Sequence, residues 1–357
     1  MTMTATDVEL TSMLLEQADR LLRGEVTRDV LSRADGGEFP AALWRACEDA
    51  GLPLALVRED SGGVGLGLAQ GLRLIRHLGY HAAPLPLPET ILALMCWCEA
   101  GGAPVAGSVT LVADEGLTLR PAGARFTLSG HALRVPWGAS AGHVLLQASD
   151  EAGELRLALL PHALVRGEPV RNLAFEPRDT LHFDGIEVDA SMTRRVPGEQ
   201  AGSLLVLGAL MRAQQMAGAM ERCLDYALAY AMERQQFGRP IAKFQAIQHM
   251  LAEAAGHYAA AVAAADLAAD AWRTPRFEFD SAIAKARVGE SAGKVAAIVH
   301  QVHGAMGFTQ EHPLHFSTRR LWSWRDEFGS EAYWQERIGR LVCGAGGVAL
   351  WPALAGE

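Results

Sequence analysis

Apolar positions recur at three-to-four spacing over the first hundred residues. Leu14, Leu15, Ala18, Leu21 and Leu22 share one helical face. Phe39 to Ala50 repeats the pattern, with Pro40 as an early helix residue and Gly51 as its stop. A glycine-rich break, Ser61-Gly62-Gly63-Val64-Gly65, precedes a helix over Leu68 to Leu78 and another from Glu89 to about Ala100. From residue 104 the period changes. Val109–Val112, His143–Leu146, Leu155–Leu160, Thr180–Asp184 and Ile186–Val188 are short apolar runs separated by Gly, Asp and Pro, which predicts strands of a small antiparallel barrel or sandwich. From residue 199 the helical period returns, over Gly202–Arg234, Ile247–Trp272, Ser281–His303 and from Ser330 past Arg340. The second of these is rich in alanine, the best helix former, and predicts close packing in a bundle. The pattern predicts an α+β fold of α-β-α order. Its units are an N-terminal helical domain (1–103), a middle β domain (104–198) and a C-terminal four-helix bundle (199–357).

Composition narrows the function. Half of the 357 residues are hydrophobic and a fifth charged, enough for a packed core. The net charge of -9 opposes nucleic-acid binding, which calls for a basic face. Cys47, Cys96, Cys98, Cys223 and Cys343 are scattered and odd in number. The lone Cys96-Trp97-Cys98 has no second pair, so buried free thiols in a reducing cytoplasm are expected, and no metal site. The first residues carry no secretory pattern, and no apolar run approaches the ~18 residues of a membrane span.

Two motifs carry a resemblance. Arg234-Gln235-Gln236-Phe237-Gly238-Arg239-Pro240-Ile241-Ala242-Lys243-Phe244-Gln245 is similar to the acyl-CoA dehydrogenase signature R-x-x-F-G-x-x-I-x-x-F-Q. Gln301-Val302-His303-Gly304-Ala305-Met306-Gly307-Phe308 resembles the family's Q-x-x-G-G-x-G-F segment. Residues 61–65 resemble its shorter G-G-x-G stretch. The resemblance implies FAD-dependent α,β-dehydrogenation of an acyl-CoA, in a homo- or hetero-oligomer such as a dimer of dimers. It also implies electron-transfer flavoprotein as the acceptor.

The resemblance further implies a cofactor held across a subunit interface. Arg234 would pair with the FAD pyrophosphate and Phe237 would give an aromatic wall. Gly238 would allow close backbone approach, and Gln245 would read polar edges. Gln301, Gly304 and Gly307 would come from the neighbouring subunit. Two departures matter. The family's T-E-x-x-A-G-S-D and W-x-T-N stretches are missing between residues 104 and 195; the nearest later text runs from Arg134 to Ala141, with Trp137 in it. The family's catalytic Glu directly precedes a Gly, but counting from Gln301 lands on Phe328, before Gly329. Glu327 is one residue early. It is the candidate base, with a pKa expected to be raised by burial and opposed by Arg325. An alternative base position, on the helix around Gly202 to Leu210, holds no carboxylate. Two readings stay open: an enzyme using Glu327, or a catalytically silent flavin-site subunit of a heteromeric dehydrogenase.

Overall fold

The computed structural model describes residues 5–113, 116–150, 153–196, 204–346, 348 and 351–352. Five helices come first: α1 (Ala5–Glu25), α2 (Arg28–Asp35), α3 (Ala41–Asp49), α4 (Leu68–Tyr80) and α5 (Leu87–Glu99). Leu68, Leu72, Ile75 and Leu78 of α4 are buried along one stripe. Helix α5 is buried nearly all round, so it is the axis of this unit. Helix α2 escapes the periodicity reading because it is only two turns long; the Thr27 hydroxyl caps it by accepting from the Val30 amide. Pro40 stands just outside α3 rather than within it.

Eight strands follow: β1 (Val109–Val112), β2 (Thr118–Ala122), β3 (Arg125–Pro136), β4 (His143–Ser149), β5 (Leu155–Pro161), β6 (Arg166–Glu168), β7 (Arg178–Asp189) and β8 (Thr193–Arg195). They form one sheet in the order β6-β7-β3-β2-β4-β5-β8, with β1 added beside β4. The sheet is mixed, not purely antiparallel, because β1 and β2 pair with β4 in parallel. Thr180–Asp184 and Ile186–Val188 are one strand, β7, and not two. Gly185 takes a left-handed turn (φ 70°) and drops out of the pairing with β3, so the chain kinks without leaving the sheet.

Strand alternation buries both faces of the sheet. Leu145, Leu157 and Leu159 join the core shared with the N-terminal helices. Val144, Leu146, Ala158 and Leu160 point into the sheet's own core. Thr90 ties α5 to β1: its hydroxyl accepts from the Val109 amide at 3.0 Å and donates to Pro86 O at 2.7 Å.

The bundle is α6 (Leu204–Glu233), α7 (Gln245–Asp270), α8 (Phe277–His303), α9 (Leu314–Trp324) and α10 (Glu331–Ala345). A two-stranded ribbon, β9 (Gln235–Gln236) with β10 (Arg239–Pro240), joins α6 to α7. The expected helix start at Gly202 and the boundary at residue 199 lie outside the described residues. Helix α9 has no counterpart in the sequence reading, which placed no helix between His303 and Ser330. Ala254, Ala261 and Ala265 of α7 are fully buried in the bundle core, as the alanine run requires. Among the described residues no helix is long and apolar enough to cross a membrane.

The N-terminal unit meets the bundle through paired glycines. A Cβ on Gly79 of α4 would fall 2.1 Å from Gln215 O, and one on Gly218 of α6 would fall 1.9 Å from Arg76 O. Backbone meets backbone here, and no side chain can swing aside. Gly218→Ala should therefore destabilise the protein by about 1–3 kcal/mol through overpacking. Gly256→Ala on α7, where a Cβ meets nothing within 4 Å, should stabilise it by roughly 0.5–1 kcal/mol. Denaturant midpoints of the two variants should move in opposite directions.

Candidate active site

Arg234 directly follows α6, and its side chain is exposed. The chain then turns through Phe237 (φ 52°) and Gly238 (φ 78°), both left-handed, between the paired residues Gln236 and Arg239. Two left-handed central residues make the hairpin turn whose twist matches its strands. The turn thrusts Phe237 outward to 92 % exposure. Gln245 opens α7 and is exposed.

Gln301 is exposed near the end of α8, and Gly304 breaks that helix with φ 58°. Gly307 is buried; a Cβ there would sit 3.0 Å from His303 Cβ and 3.1 Å from His300 Nδ1. It does not adopt positive φ, so it serves packing rather than a left-handed turn. Tyr230 stacks on His303 with centroids 4.7 Å apart. Both motifs therefore sit at one end of the bundle in a single chain.

A second locus is a cavity of about 570 Å³ between the sheet and the bundle. Leu133 to Pro136 of β3, Val170 to Leu173, Trp322 and Glu327 to Gly329 all line it. Trp137 does not. It is buried beside Phe39, edge to face at 6.1 Å, so it is a core residue.

Glu327 projects into a buried charge network beside this cavity. Arg178 Nε donates to its Oε1 at 2.6 Å, and Arg212 Nε to its Oε2 at 2.6 Å. Asn172 adds a bond at 3.2 Å. Arg178 also binds Glu176 at 2.8 Å, which receives Trp324 Nε1 at 2.9 Å and lies 3.1 Å from Arg320 Nε. Arg212 reaches Glu89 of α5 at 2.5 Å. The network ties all three units together.

The network reverses the expected ionisation of Glu327. Burial alone would raise its pKa, but the guanidinium groups of Arg178 and Arg212 outweigh burial and hold it below the usual carboxylate value. The expected cation, Arg325, is not the one responsible; it pairs with Glu331 at 2.5 Å. Burial likewise acts upward on Glu176, yet Arg178, Arg320 and Arg212 bring it down to about 2. Arg320 is thus a core ion-pair residue, and Arg319 pairs with Asp35.

The next residue is equally constrained. Phe328 has φ 52° and Gly329 φ 92°. Trp334 Nε1 donates to Phe328 O at 3.0 Å. The buried Lys285 ammonium donates to Arg325 O at 2.6 Å and Gly329 O at 2.7 Å. The Phe328 ring packs on Gly208 of α6, where a Cβ would come within 2.3 Å of it. Arg212 lies over the same ring, 5.6 Å from its centroid.

The model of the acyl-CoA dehydrogenase N-terminal domain matches residues 9–100, and that of the C-terminal domain matches 199–340. The chain belongs to the acyl-CoA dehydrogenase family. It is 29 % identical to the acyl-CoA dehydrogenase IpdE2 of Mycobacterium tuberculosis, over 79 % of this chain and 80 % of that one. Its fold is shared with the Tcur3481-Tcur3483 steroid ACAD, at TM-score 0.86 and 24 % identity over 95 % and 99 % of the two chains. It is also shared with a chain of the ChsE4-ChsE5 complex from Mycobacterium tuberculosis, at TM-score 0.84 and 24 % identity over 96 % and 98 %.

In this acyl-CoA dehydrogenase fold, the position directly before Gly329 holds an aromatic ring. The helix position facing that ring is Gly208, not an acid. Neither site considered for a base carries a carboxylate, and Glu327 is diverted into the ion-pair network. Glu89, Asn172, Glu176, Arg178 and Arg212 escaped the sequence reading. No local pattern marks them, since they come from three separate stretches, at Glu89, Asn172 to Arg178 and Arg212, and meet only in space. Among the described residues the five cysteines are free; Cys47 and Cys223 are buried, whereas Cys343 is exposed.

Glu327→Gln should destabilise the protein by about 3–5 kcal/mol, because it leaves two buried guanidiniums short of a counter-charge. A thermal melt at neutral pH checks this. The wild type should also show a specific acid sensitivity. The folded-state pKa of Glu176 lies below the ordinary 4.5, so its contribution is complete above that value and is lost as pH falls towards about 2. Glu176→Gln should flatten the stability profile across that window in acid titrations followed by circular dichroism.

Proposed function

We propose that this chain is the flavin-site subunit of a heteromeric acyl-CoA dehydrogenase whose partner supplies the catalytic carboxylate. One observation carries the reading: the carboxylate nearest the expected base position is locked between Arg178 and Arg212, with Phe328 in that position. A general base must be able to take up a proton at working pH. A carboxylate stabilised in its charged form by two cations resists this. The self-sufficient reading, with Glu327 as base, requires that side chain to abandon both partners. The ChsE4-ChsE5 complex from Mycobacterium tuberculosis, an assembly that contains a chain of the same fold, supports the heteromeric reading.

The bundle end fits FAD. Arg234 offers a rigid fork of donors suited to the pyrophosphate. Phe237 offers an exposed ring for an apolar or aromatic surface, with Gly238 beside it for close backbone approach. Gln245 and Gln301 offer polar edges. Gly304 turns the loop, and Gly307 packs it tightly on α8. The exposed Phe308 (73 %) and Phe237 suit a face completed by a second subunit. Bound FAD would supply the acceptor for the β-hydride of an acyl-CoA, and electron-transfer flavoprotein would then take the electrons. The units 1–103, 104–198 and 199–357 are our domain assignment.

Purified alone and mixed anaerobically with a series of acyl-CoA thioesters, the chain should leave the visible flavin band unbleached. Co-expressed with a family partner carrying Glu directly before Gly, it should support bleaching. Arg234→Ala should lower flavin occupancy of the complex about tenfold or more, read from the absorbance ratio. The proposal fails if the chain alone reduces its flavin and Glu327→Gln, checked as folded, slows that step by ~10²–10⁴.

A further inference from the structure

We infer that residues 304–313, between α8 and α9, form an acid-released strap held down by four histidines that must all be uncharged. His300 and His303 stand on α8, His312 lies in the segment and His315 opens α9. Of residues 304–313 only Gly307 is buried, so little else holds the segment in place. It contributes two rings to the bundle. Phe308 stacks on His300 with centroids 4.5 Å apart, and His300 also stacks on Trp322 at 5.5 Å. His312 packs against His303 at 4.6 Å and Tyr226 at 5.6 Å.

Hydrogen bonding assigns each histidine as neutral. The Leu314 amide can only donate, so His312 Nδ1 accepts from it at 3.2 Å and carries no proton. Arg319 likewise donates to His315 Nδ1 at 3.1 Å. The Val299 carbonyl can only accept, so His303 Nδ1 donates to it at 2.7 Å and Nε2 is bare. The Thr318 hydroxyl donates to Leu314 O, so it accepts from His300 Nε2 at 3.0 Å and Nδ1 is bare. Both bare nitrogens are buried and make no hydrogen bond. A proton on His312 or His315 therefore breaks a bond, and one on His300 or His303 places a charge in a buried site.

No carboxylate answers that charge. Among the described residues none of the four forms an ion pair. Asp35 faces His315 but is paired with Arg319. Arg28 of α2 adds a further cation there and donates to Gln310 O at 2.8 Å. From α6, Tyr226 and Tyr230 face the rings, and Arg222 lies over Tyr226. Glu311 is exposed in the segment. Burial lowers all four histidines below the ordinary 6.5, and the neighbouring rings take His312 down to about 4. The carbonyls of Val299 and Tyr226 favour a charged His303, but burial outweighs them. A histidine kept neutral by the fold stabilises it fully above 6.5, and that contribution is lost as pH falls towards the folded value. Four such groups bear on one segment, so its opening takes up several protons together. The segment carries Gly304 and Gly307, so opening would also loosen bound FAD; that consequence alone rests on the flavin reading.

Hydrogen–deuterium exchange on the full-length chain as purified, corrected for the pH dependence of intrinsic exchange, tests the strap. Protection of residues 304–313 should hold at neutral pH and collapse between 6.5 and about 4, more steeply than one proton allows, while α7 stays protected. His312→Asn keeps an acceptor for the Leu314 amide and His300→Gln keeps a donor for Thr318, yet neither replacement takes a proton. Together they should move the collapse down by ~1 pH unit or more. His249→Gln, at an exposed histidine of α7, should leave it in place. Ring-nitrogen NMR of the wild-type histidines tests the same point without substitution, and four neutral rings with the tautomers given above are expected at neutral pH. A charged ring among the four at neutral pH, a collapse unmoved in the folded double variant, or loss of α7 protection together with the segment overturns the inference. If the segment opens while the visible flavin absorbance stays with the protein, the strap stands and the role of Gly304 and Gly307 in holding flavin fails.

Discussion

Arg178 from the sheet and Arg212 from the first bundle helix meet on the two oxygens of Glu327, and the structure is organised around that meeting. Buried charges are tolerated only when paired and hydrogen-bonded. Each arginine therefore recruits a further acid: Glu176 for Arg178 and Glu89 for Arg212. Glu89 belongs to the N-terminal helices, so the chain of pairs spans all three units. Removing one charge strands the others, which makes the units interdependent.

The same network determines the chemistry open to the loop before α10. Lys285 and Trp334 fix the loop's carbonyls, so its side chains cannot shift by one residue. Within that fixed backbone Glu327 turns to the arginines and Phe328 turns to Gly208. The missing side chain at Gly208 is what lets the ring lie there. An acid at Gly208 would meet the Phe328 ring. Family membership is thus compatible with an aromatic ring directly before Gly329. The α-β-α frame is retained while the position expected to carry a base holds a ring.

The surface formed by the two motifs and the cavity differ in how far the sequence discloses them. Arg234, Phe237, Gly238, Gln301 and Gly304 lie in two contiguous stretches, so their spacing is visible in one dimension. The aromatic and histidine stack joining those stretches, Tyr230 on His303, is not, because it links residues more than seventy positions apart. The bulge at Arg134 is hidden for another reason. A single extra residue shows only when the pairing of β3 with β7 is known.

The α-β-α order, the long bundle helices and the two family motifs were determined by the sequence itself. They rest on local periodicity, helix propensity and side-chain types at short spacing. The mixed pairing of β1 with β4, the short helices α2 and α9, and the continuity of β7 were decided by tertiary structure, since strand partners and packing outweigh local signal there. The state of Glu327 was decided there too. Sequence position and burial alone suggest a carboxylate with a raised pKa. Only the fold shows two guanidiniums converging on it from distant segments, and at under 3 Å their attraction outweighs the cost of burial.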